Sequence, residues 1–257
     1  MSRTRGFTIA TCTATASAAL GLLFSPALGG VSSAQGGGNP DPQKLAAQAQ
    51  QSLRKATSVR LGYSDRSATA ASNNRLPTSM NLAIDRKGNC TGSMTLGGHG
   101  GSVDIIKRGT AVWLKPDQTF WRAELPGERG VTASRQFKDR YIHGTTSDQM
   151  LSGIANTCDL ASLQQAATVS APSSLKEGLA TKLGTTRVVP LTFQVNGLTS
   201  TLYVTADKPH RLYRAAQTGP GTNLSLTFTD YNKPVKAVAP AAAQSVDISA
   251  VPKLPTS

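Results

Sequence analysis

The chain has 257 residues and a formal net charge of +13, because 27 Lys and Arg residues outnumber 14 Asp and Glu residues. A chain of this length is long enough to bury one substantial hydrophobic core. Its basic residues are spread along the chain and accompany no nucleic-acid-binding motif, so we expect no nucleic-acid partner. The positive charge favours contact with an anionic surface, with a merely solvated basic surface as the alternative.

The N-terminus has the pattern of a secretory signal peptide. Two arginines precede an apolar run of mostly small residues at 7–24, and small residues follow it. We therefore predict a signal peptide over residues 1–34, with an uncleaved membrane anchor as the alternative, and a flexible leader over residues 35–40. Cys12 precedes most of the apolar core, so the chain has no convincing lipid-attachment motif. We expect an exported protein, either extracellular or associated with the cell envelope.

Two cysteines follow the predicted signal peptide, Cys90 and Cys158. In an oxidising compartment such a pair favours one disulfide. Metal binding is the alternative, but no CxxC or HxxxH spacing accompanies these cysteines and the three histidines are scattered. We expect a disulfide, with no metal and no other cofactor.

The apolar pattern of the first half predicts one helix followed by strands. Asp41 suits an N-cap position, and an apolar stripe with helical spacing predicts a helix over residues 42–57. The period then changes to two, which predicts half-buried antiparallel strands. The alternating residues are Val59, Leu61, Tyr63, Met80, Leu82, Ile84, Met94, Leu96, Val103, Ile105, Val112 and Leu114.

A helical insertion is predicted in the middle of the chain. Residues 125–144 are polar and irregular, which predicts a loop. Ser147 suits the N-cap of a following helix, and Asp159 the start of a second helix. Cys158 lies between these two helices, so a bond to Cys90 would fasten them to the first half of the sheet.

The remaining strands and the domain boundaries complete the predicted architecture. Asn196 and Gly197 form a strong two-residue hairpin signal, and the Pro- and Ala-rich tail from Lys233 predicts the end of the sheet. About ten strands with helices on one face give a single α+β domain over residues 41–248 and a C-terminal tail over 249–257. The four late strands are predicted at 187–195, 200–205, 210–215 and 223–230.

No catalytic constellation is recognisable. The chain has no GxSxG motif, and the SxxK matches at Ser52 and Ser173 lack the motifs that accompany catalytic ones. Most carboxylates adjoin turns or alternate out of strands, and none lies in an aromatic-rich stretch of the kind a glycosidase cleft needs. Trp113 is out of phase with Val112 and Leu114, which places it on the opposite face of its strand, either under a helix or loop or in a ligand cavity. We expect a protein that is not an enzyme.

Several short motifs occur in a familiar order. The leading helix is followed by the turn and strand Lys107-Arg-Gly-Thr-Ala-Val-Trp-Leu114, then by a helical insertion, Lys182-Leu-Gly184 and a closing Asp230-Tyr-Asn-Lys-Pro-Val235. This order resembles that of the LppX/LprG-type envelope proteins of actinobacteria, relatives of the LolA lipoprotein carriers. The resemblance covers nearly all of residues 41–248.

The resemblance implies a fold and a function. The fold is α+β: a curved antiparallel β half-barrel, LolA/LppX-like, with helices covering the concave face and an apolar cavity beneath them. The function is that of a non-enzymatic carrier of a lipid or another amphiphile in the envelope. The alternative is a structural or interaction module that binds anionic wall polymer through its basic surface. The family has no cavity motif, so strand alternation alone predicts ligand-binding positions, with core packing as the alternative role for each: Val112, Leu114, Phe193 and Leu226.

Overall fold

The computed structural model describes residues 41–125, 127–166, 172 and 174–251. The predicted signal peptide and leader lie outside the described residues. Thirteen strands in this part of the chain form one sheet. They are β1 (Ser58–Asp65), β2 (Pro77–Asp85), β3 (Cys90–Leu96), β4 (Ser102–Arg108), β5 (Ala111–Pro116), β6 (Tyr141–Thr145), β7 (Lys176–Glu177), β8 (Thr181–Leu183), β9 (Thr186–Val195), β10 (Leu198–Thr205), β11 (Leu212–Gly219), β12 (Thr222–Thr229) and β13 (Ser245–Asp247).

Six α-helices occur in the described residues. The first confirms the helix predicted over residues 42–57 and ends two residues earlier, and the Asp41 side chain accepts a hydrogen bond from the Gln43 N–H at 3.0 Å. Two short 3-10 turns follow near the C-terminus. The helices are α1 (Pro42–Lys55), α2 (Ala68–Ser72), α3 (Gln118–Glu124), α4 (Glu128–Gln136), α5 (Gln149–Asn156) and α6 (Leu160–Ala166).

The sheet is open and curved. Its order is β13-β6-β5-β4-β3-β2-β1-β12-β11-β10-β9-β7, and β8 also pairs with β9. All of its pairs are antiparallel except β13 with β6, which is parallel. Because β1 pairs with β12, the first and last long strands are neighbours at the centre of the sheet. This arrangement confirms the predicted antiparallel half-barrel.

The hydrophobic core lies between the concave face and the helices. Leu45 and Leu53 of α1, Trp121 of α3 and Leu151 of α5 are each at most 1% exposed and belong to one cluster with the strand residues. Burying one such side chain stabilises the fold by roughly 1.5–3 kcal/mol. The helices are thus held to the sheet by their apolar faces.

The predicted disulfide is confirmed. Cys90 at the start of β3 is bonded to Cys158 between α5 and α6, and the two Cα atoms are 5.7 Å apart. Both side chains are buried. The bond therefore fastens the connection between α5 and α6 to the middle of the sheet.

The predicted loop over residues 125–144 is wrong, because this stretch forms α4 and β6. The side that α4 buries consists of small residues, so it carries no large apolar stripe. Gly130 is required there: a Cβ atom at this position would lie 2.1 Å from the Leu125 carbonyl oxygen. In β6 the buried positions are Ile142 and Gly144, too few to show an alternating pattern.

Two further expectations are corrected. The sheet does not end near Lys233, because β13 pairs with β6 beyond the Pro- and Ala-rich segment. A three-residue strand is too short to carry a recognisable period. The residue that precedes α5 is Asp148 rather than Ser147, and its carboxylate accepts hydrogen bonds from the backbone N–H and side-chain hydroxyl of Thr145.

Tyr231 fastens the end of β12 to β11 and gives a testable pH dependence. Its buried hydroxyl donates a hydrogen bond to the Leu212 carbonyl oxygen at 2.5 Å. Burial raises the pKa of Tyr231 well above its ordinary value, although Arg211, 5.2 Å from the ring centroid, acts in the opposite direction. The neutral phenol is therefore favoured by the folded state. Its contribution is complete below about pH 10 and is lost as the pH rises further.

The expected effect of Tyr231→Phe is a loss of about 1–2 kcal/mol in the free energy of unfolding at pH 7, because the Leu212 carbonyl loses its buried partner. The variant should also lose less stability than the wild type between pH 9 and pH 11. Urea denaturation at several pH values measures both effects. Parallel pH profiles for the two proteins would contradict this role.

Candidate ligand site on the concave face

The concave face is built of cross-strand rows, because side chains at alternate positions of a strand point to the same face. Leu61 of β1 lies opposite Leu82 of β2 and Phe228 of β12. All three are at most 4% exposed. This deep row lies beneath the helices and belongs to the packed core.

A second row, two residues further along β1, is only partly covered. Tyr63 lies opposite Met80 of β2 and Leu226 of β12, and Leu226 lies opposite Ala215 of β11. Met80, Leu226 and Ala215 are partly buried and pack against the core, and Tyr63 is also partly exposed. We call these four residues the mouth row. They form a continuous apolar strip across four strands, at a place where the helices over the concave face (the helical cover) leave it partly exposed.

The next row outward is more polar. Asp65 of β1 lies opposite Leu224, and Leu224 lies opposite Gln217 of β11. The Gln217 side-chain amide donates a hydrogen bond to the hydroxyl of Ser200 at 3.3 Å. Along β1, β12 and β11 the concave face therefore changes from wholly apolar to partly exposed apolar and then to polar. This is the gradient that an amphiphile needs if its apolar part enters first. In β9 and β10 the same rows stay buried.

Three methionines lie in or against the core beneath the helices. The chain has four methionines. Met94 belongs to the core cluster, and Met80 and Met150 pack against it from β2 and α5; the fourth is Met1. Methionine has a flexible, polarisable side chain and adapts to irregular apolar partners. The surface between the cover and the sheet can therefore adjust its shape at low cost.

The four residues predicted from strand alternation occupy different parts of the concave face. Val112 and Leu114 of β5 are at most 1% exposed in the core, where α5 packs on β5 and β6. Phe193 of β9 is 7% exposed and lies opposite Ser200 in the polar row. Leu226 is in the mouth row. The structure thus brings only Leu226 and Phe193 near the partly open end.

The mouth row as a unit is not predictable from strand alternation alone. Tyr63 and Met80 were predicted to alternate inward, but their neighbours across the sheet depend on strand register. The row is set by the pairing of β1 with β12 and of β12 with β11. The pairing of β1 with β12 joins strands far apart in the chain, which leaves no clear signal in a single sequence.

The helical cover is fastened to the sheet and to itself at a few points. The side-chain amide of Gln164 on α6 donates hydrogen bonds to the carbonyl oxygens of Leu53 and Ala56 at the end of α1, at 2.8 and 3.0 Å. The Ser52 hydroxyl on α1 donates to the His210 carbonyl oxygen at 2.8 Å. With the disulfide, these contacts hold α1 and α6 across the concave face.

We expect Gln164→Met to lower the free energy of unfolding by about 2 kcal/mol, since two carbonyl groups at the end of α1 lose a partner while the side-chain volume is nearly kept. Hydrogen exchange should speed up mainly in α1 and α6. A matched change at the exposed Gln51 of α1, Gln51→Met, should leave both quantities unchanged. Equal acceleration of hydrogen exchange throughout the sheet would contradict a local role of Gln164 at the contact between α1 and α6.

The two tryptophans differ in position. Trp113 lies on the convex face, as its phase predicted, and stacks on His143 with 4.8 Å between ring centroids. Trp121 is fully buried beside Phe137, and its indole N–H has no hydrogen-bond partner among the described residues. In the strand register Trp113 is opposite His143 and lies on the other face from the mouth row. Trp113 therefore does not line the concave site.

The helix α3 ends in a partly buried carboxyl group. Burial raises the pKa of Glu124, at the end of α3, while Arg75 partly opposes this shift. At the start of α6 the pKa of Asp159 is lowered, chiefly by the hydroxyl of Ser162 and also by backbone N–H groups.

The described residues hold no group of three or more His, Cys, Asp or Glu that could bind a metal ion. None of the helices in this part of the chain is long and apolar enough to cross a membrane.

Comparison with solved structures identifies the fold. The chain is similar to LprF from Mycobacterium bovis, with 12% sequence identity and a TM-score of 0.53 over 79% of this chain and 99% of LprF. Similarities were also found to the lipoprotein LppX from Mycobacterium tuberculosis (14% identity, TM-score 0.48, 78% of this chain and 100% of LppX) and to a LolA superfamily protein from Nitrosomonas europaea (10% identity, TM-score 0.26, 76% and 94%). No protein-family model and no curated protein sequence match the chain.

The likeness to LprF confirms the predicted fold, an open curved sheet of mostly antiparallel strands with several helices. At 12% identity the likeness to LprF concerns the fold alone.

Proposed function

We propose that this protein is an exported, non-enzymatic carrier that binds a lipid or another amphiphile on its concave face. The observation that carries the proposal is the mouth row, a partly exposed apolar strip between a wholly apolar interior and a polar outer row. The sequence resemblance and the predicted signal peptide point in the same direction. Export places such a carrier in the cell envelope or outside the cell.

Binding requires a rearrangement of the cover, because the interior is packed with the protein's own side chains. An acyl chain that enters past Tyr63 and Leu226 displaces helical side chains from the sheet and replaces their contacts. Each methylene group removed from water contributes roughly 0.8 kcal/mol. A long acyl chain can therefore offset the cost of lifting part of the cover. No bond is made or broken in this process.

The ligand's polar group would remain at the outer row. Asp65, Gln217 and Ser200 supply hydrogen-bonding groups there, and a buried polar group of the ligand is costly unless it is paired. Of the four residues predicted from alternation, we propose that Leu226 and Phe193 contact the ligand. Val112 and Leu114 would contact it only if α5 moves away.

Fluorescence titration with cis-parinaric acid tests this function on the full chain after extraction with organic solvent. We expect saturable enhancement at one or a few sites, and competition by unlabelled long-chain lipids. Short-chain analogues of the same head group should compete poorly, because they bury fewer methylene groups. A linear, non-saturable signal, or equal competition by short and long chains, would refute an apolar carrier site.

A further inference from the structure

The convex face carries a hollow that the carrier function does not use. It lies over β1, β12, β11 and β10 and has a volume of about 380 Å³. Gly62 and Ala216 form part of its floor, and Tyr203, Arg214 and Arg66 are among its walls. In the strand register Gly62 lies opposite Thr227, Thr227 opposite Arg214 and Arg214 opposite Tyr203. We call this depression the convex hollow.

The glycine at the centre of the convex hollow is not required by the backbone. A Cβ atom at Gly62 would meet only ordinary contacts, the nearest 3.6 Å away at Thr227, and Gly62 is not among the glycines with positive φ. By contrast, a Cβ atom at Gly92 in β3 would lie 1.9 Å from the Asn81 carbonyl oxygen. Glycine in a central strand costs roughly 0.5–1 kcal/mol relative to alanine. Such a glycine often marks a place where a ligand approaches the backbone.

The charge of the convex hollow is positive and uncompensated. No Asp or Glu is among its lining residues, all of which the structure describes. Arg66 and Arg214 form no ion pair with the described residues, whereas Arg60 and Lys115 on the same face are bound to Asp230 and Asp104 at 2.9 and 3.0 Å. The Arg214 Nε donates a hydrogen bond to the Thr227 hydroxyl at 3.2 Å. That contact fixes the guanidinium, whose terminal nitrogens remain donors for a ligand.

We propose that the convex hollow binds the phosphate group of a polyol or sugar phosphate. A planar guanidinium fork matches the geometry of phosphate oxygens, and two of them next to a side-chain-free floor leave space for a tetrahedral anion. The hydroxyls of Tyr203 and Thr227 and those of the neighbouring serines suit the polyol that carries the phosphate. The side chains of Gly62, Arg214 and Thr227 belong to the convex rows, and the hollow also borders Tyr63 and Leu224 of the concave rows at the edge of the sheet. The anionic partner that the net charge favours would bind at this hollow.

Glycerol 1-phosphate is the probe that tests this site, titrated into the full chain and followed by amide chemical shifts, with glycerol as the uncharged control. The largest shifts should occur at residues 62–66, 214–216 and 223–227. Arg214→Gln and Arg66→Gln should each weaken binding about tenfold. Arg108→Gln removes the same charge from the exposed turn between β4 and β5, and should weaken binding less than twofold.

Gly62→Val provides a variant without a change of charge. The side chain fills the hollow from its floor, and valine suits a strand, so binding should fall at least tenfold while the melting temperature is kept or raised. Unchanged affinity in Gly62→Val, or equal loss in Arg108→Gln and Arg214→Gln, would overturn the site in favour of diffuse charge attraction.

If phosphatidylglycerol vesicles compete with glycerol 1-phosphate, the phosphate belongs to a lipid head group. If they do not compete, it belongs to a soluble polymer. Cis-parinaric acid binding should be unchanged in every variant, so failure of this site and failure of the carrier function are distinguishable.

Discussion

Replacing both Cys90 and Cys158 with alanine is expected to lower the free energy of unfolding by about 4 kcal/mol, because the bond closes a loop with a sequence separation of 68. A loss of this size is a large fraction of the stability of an ordinary domain. Part of it comes from the unfolded chain, which gains freedom, and part from the two buried sulfur atoms that are removed. Urea denaturation of the wild type and the double variant measures the difference.

Reduction of the wild type separates these two contributions, since it breaks the bond and keeps both sulfur atoms. We expect most of the loss to remain under reducing conditions. The same treatment should speed up amide exchange first in α5 and α6, which the bond fastens to β3. A loss below about 1 kcal/mol would mean that the link contributes little to the folded state.

Introducing a charge into the mouth row should weaken amphiphile binding strongly, with little effect on folding. Leu226 is only partly buried, so Leu226→Asp leaves the deep row of the core intact. A carboxylate beside an acyl chain is costly to desolvate, and we expect the affinity for cis-parinaric acid to fall at least tenfold. The melting temperature and the circular dichroism spectrum should change little.

Thr229→Asp is the matched control, because Thr229 lies three residues along the same strand and points to the convex face. The two variants have the same net charge and differ in the face that carries it. Binding should be retained in Thr229→Asp. Equal losses in the two variants would show that the amphiphile is held by net charge or at the surface, and not at the mouth row.

The elements that sequence predicted best carry strong local signals. The stripe of α1 and its Asp41 cap, the period-two runs of β1 to β5, and the Asn196-Gly197 hairpin all appear in the structure close to their predicted positions. The two cysteines predicted to bond do so. The helix, the strands and the hairpin carry signals in a few neighbouring residues, whereas the disulfide was predicted because only two cysteines follow the signal peptide.

The elements that were missed depend on distant contacts. In α4 small residues are buried against α3, and β13 is held by pairing with β6. Neither shows an apolar period of its own. The same reason limits prediction of the site. Strand alternation places Val112 and Leu226 on one face, but it does not give their depth. Only the pairing order and the position of the helices show that Val112 is deep in the core and Leu226 is at its edge.

The two faces of the sheet offer different chemistry. The concave face is apolar with a graded edge, and the convex face carries hydroxyl, amide and guanidinium groups around the convex hollow. Alternation along each strand makes this division possible, since neighbouring residues serve opposite faces. A change on one face can therefore be tested without disturbing the other.

Native mass spectrometry of the protein purified from its own host under non-reducing conditions tests the carrier function most directly. We expect a mass excess over the polypeptide that organic solvent removes, that belongs to one lipid class, and that Leu226→Asp lacks. The mass of the bare polypeptide for the wild type, after purification without detergent, would contradict a carrier that holds its ligand on the concave face.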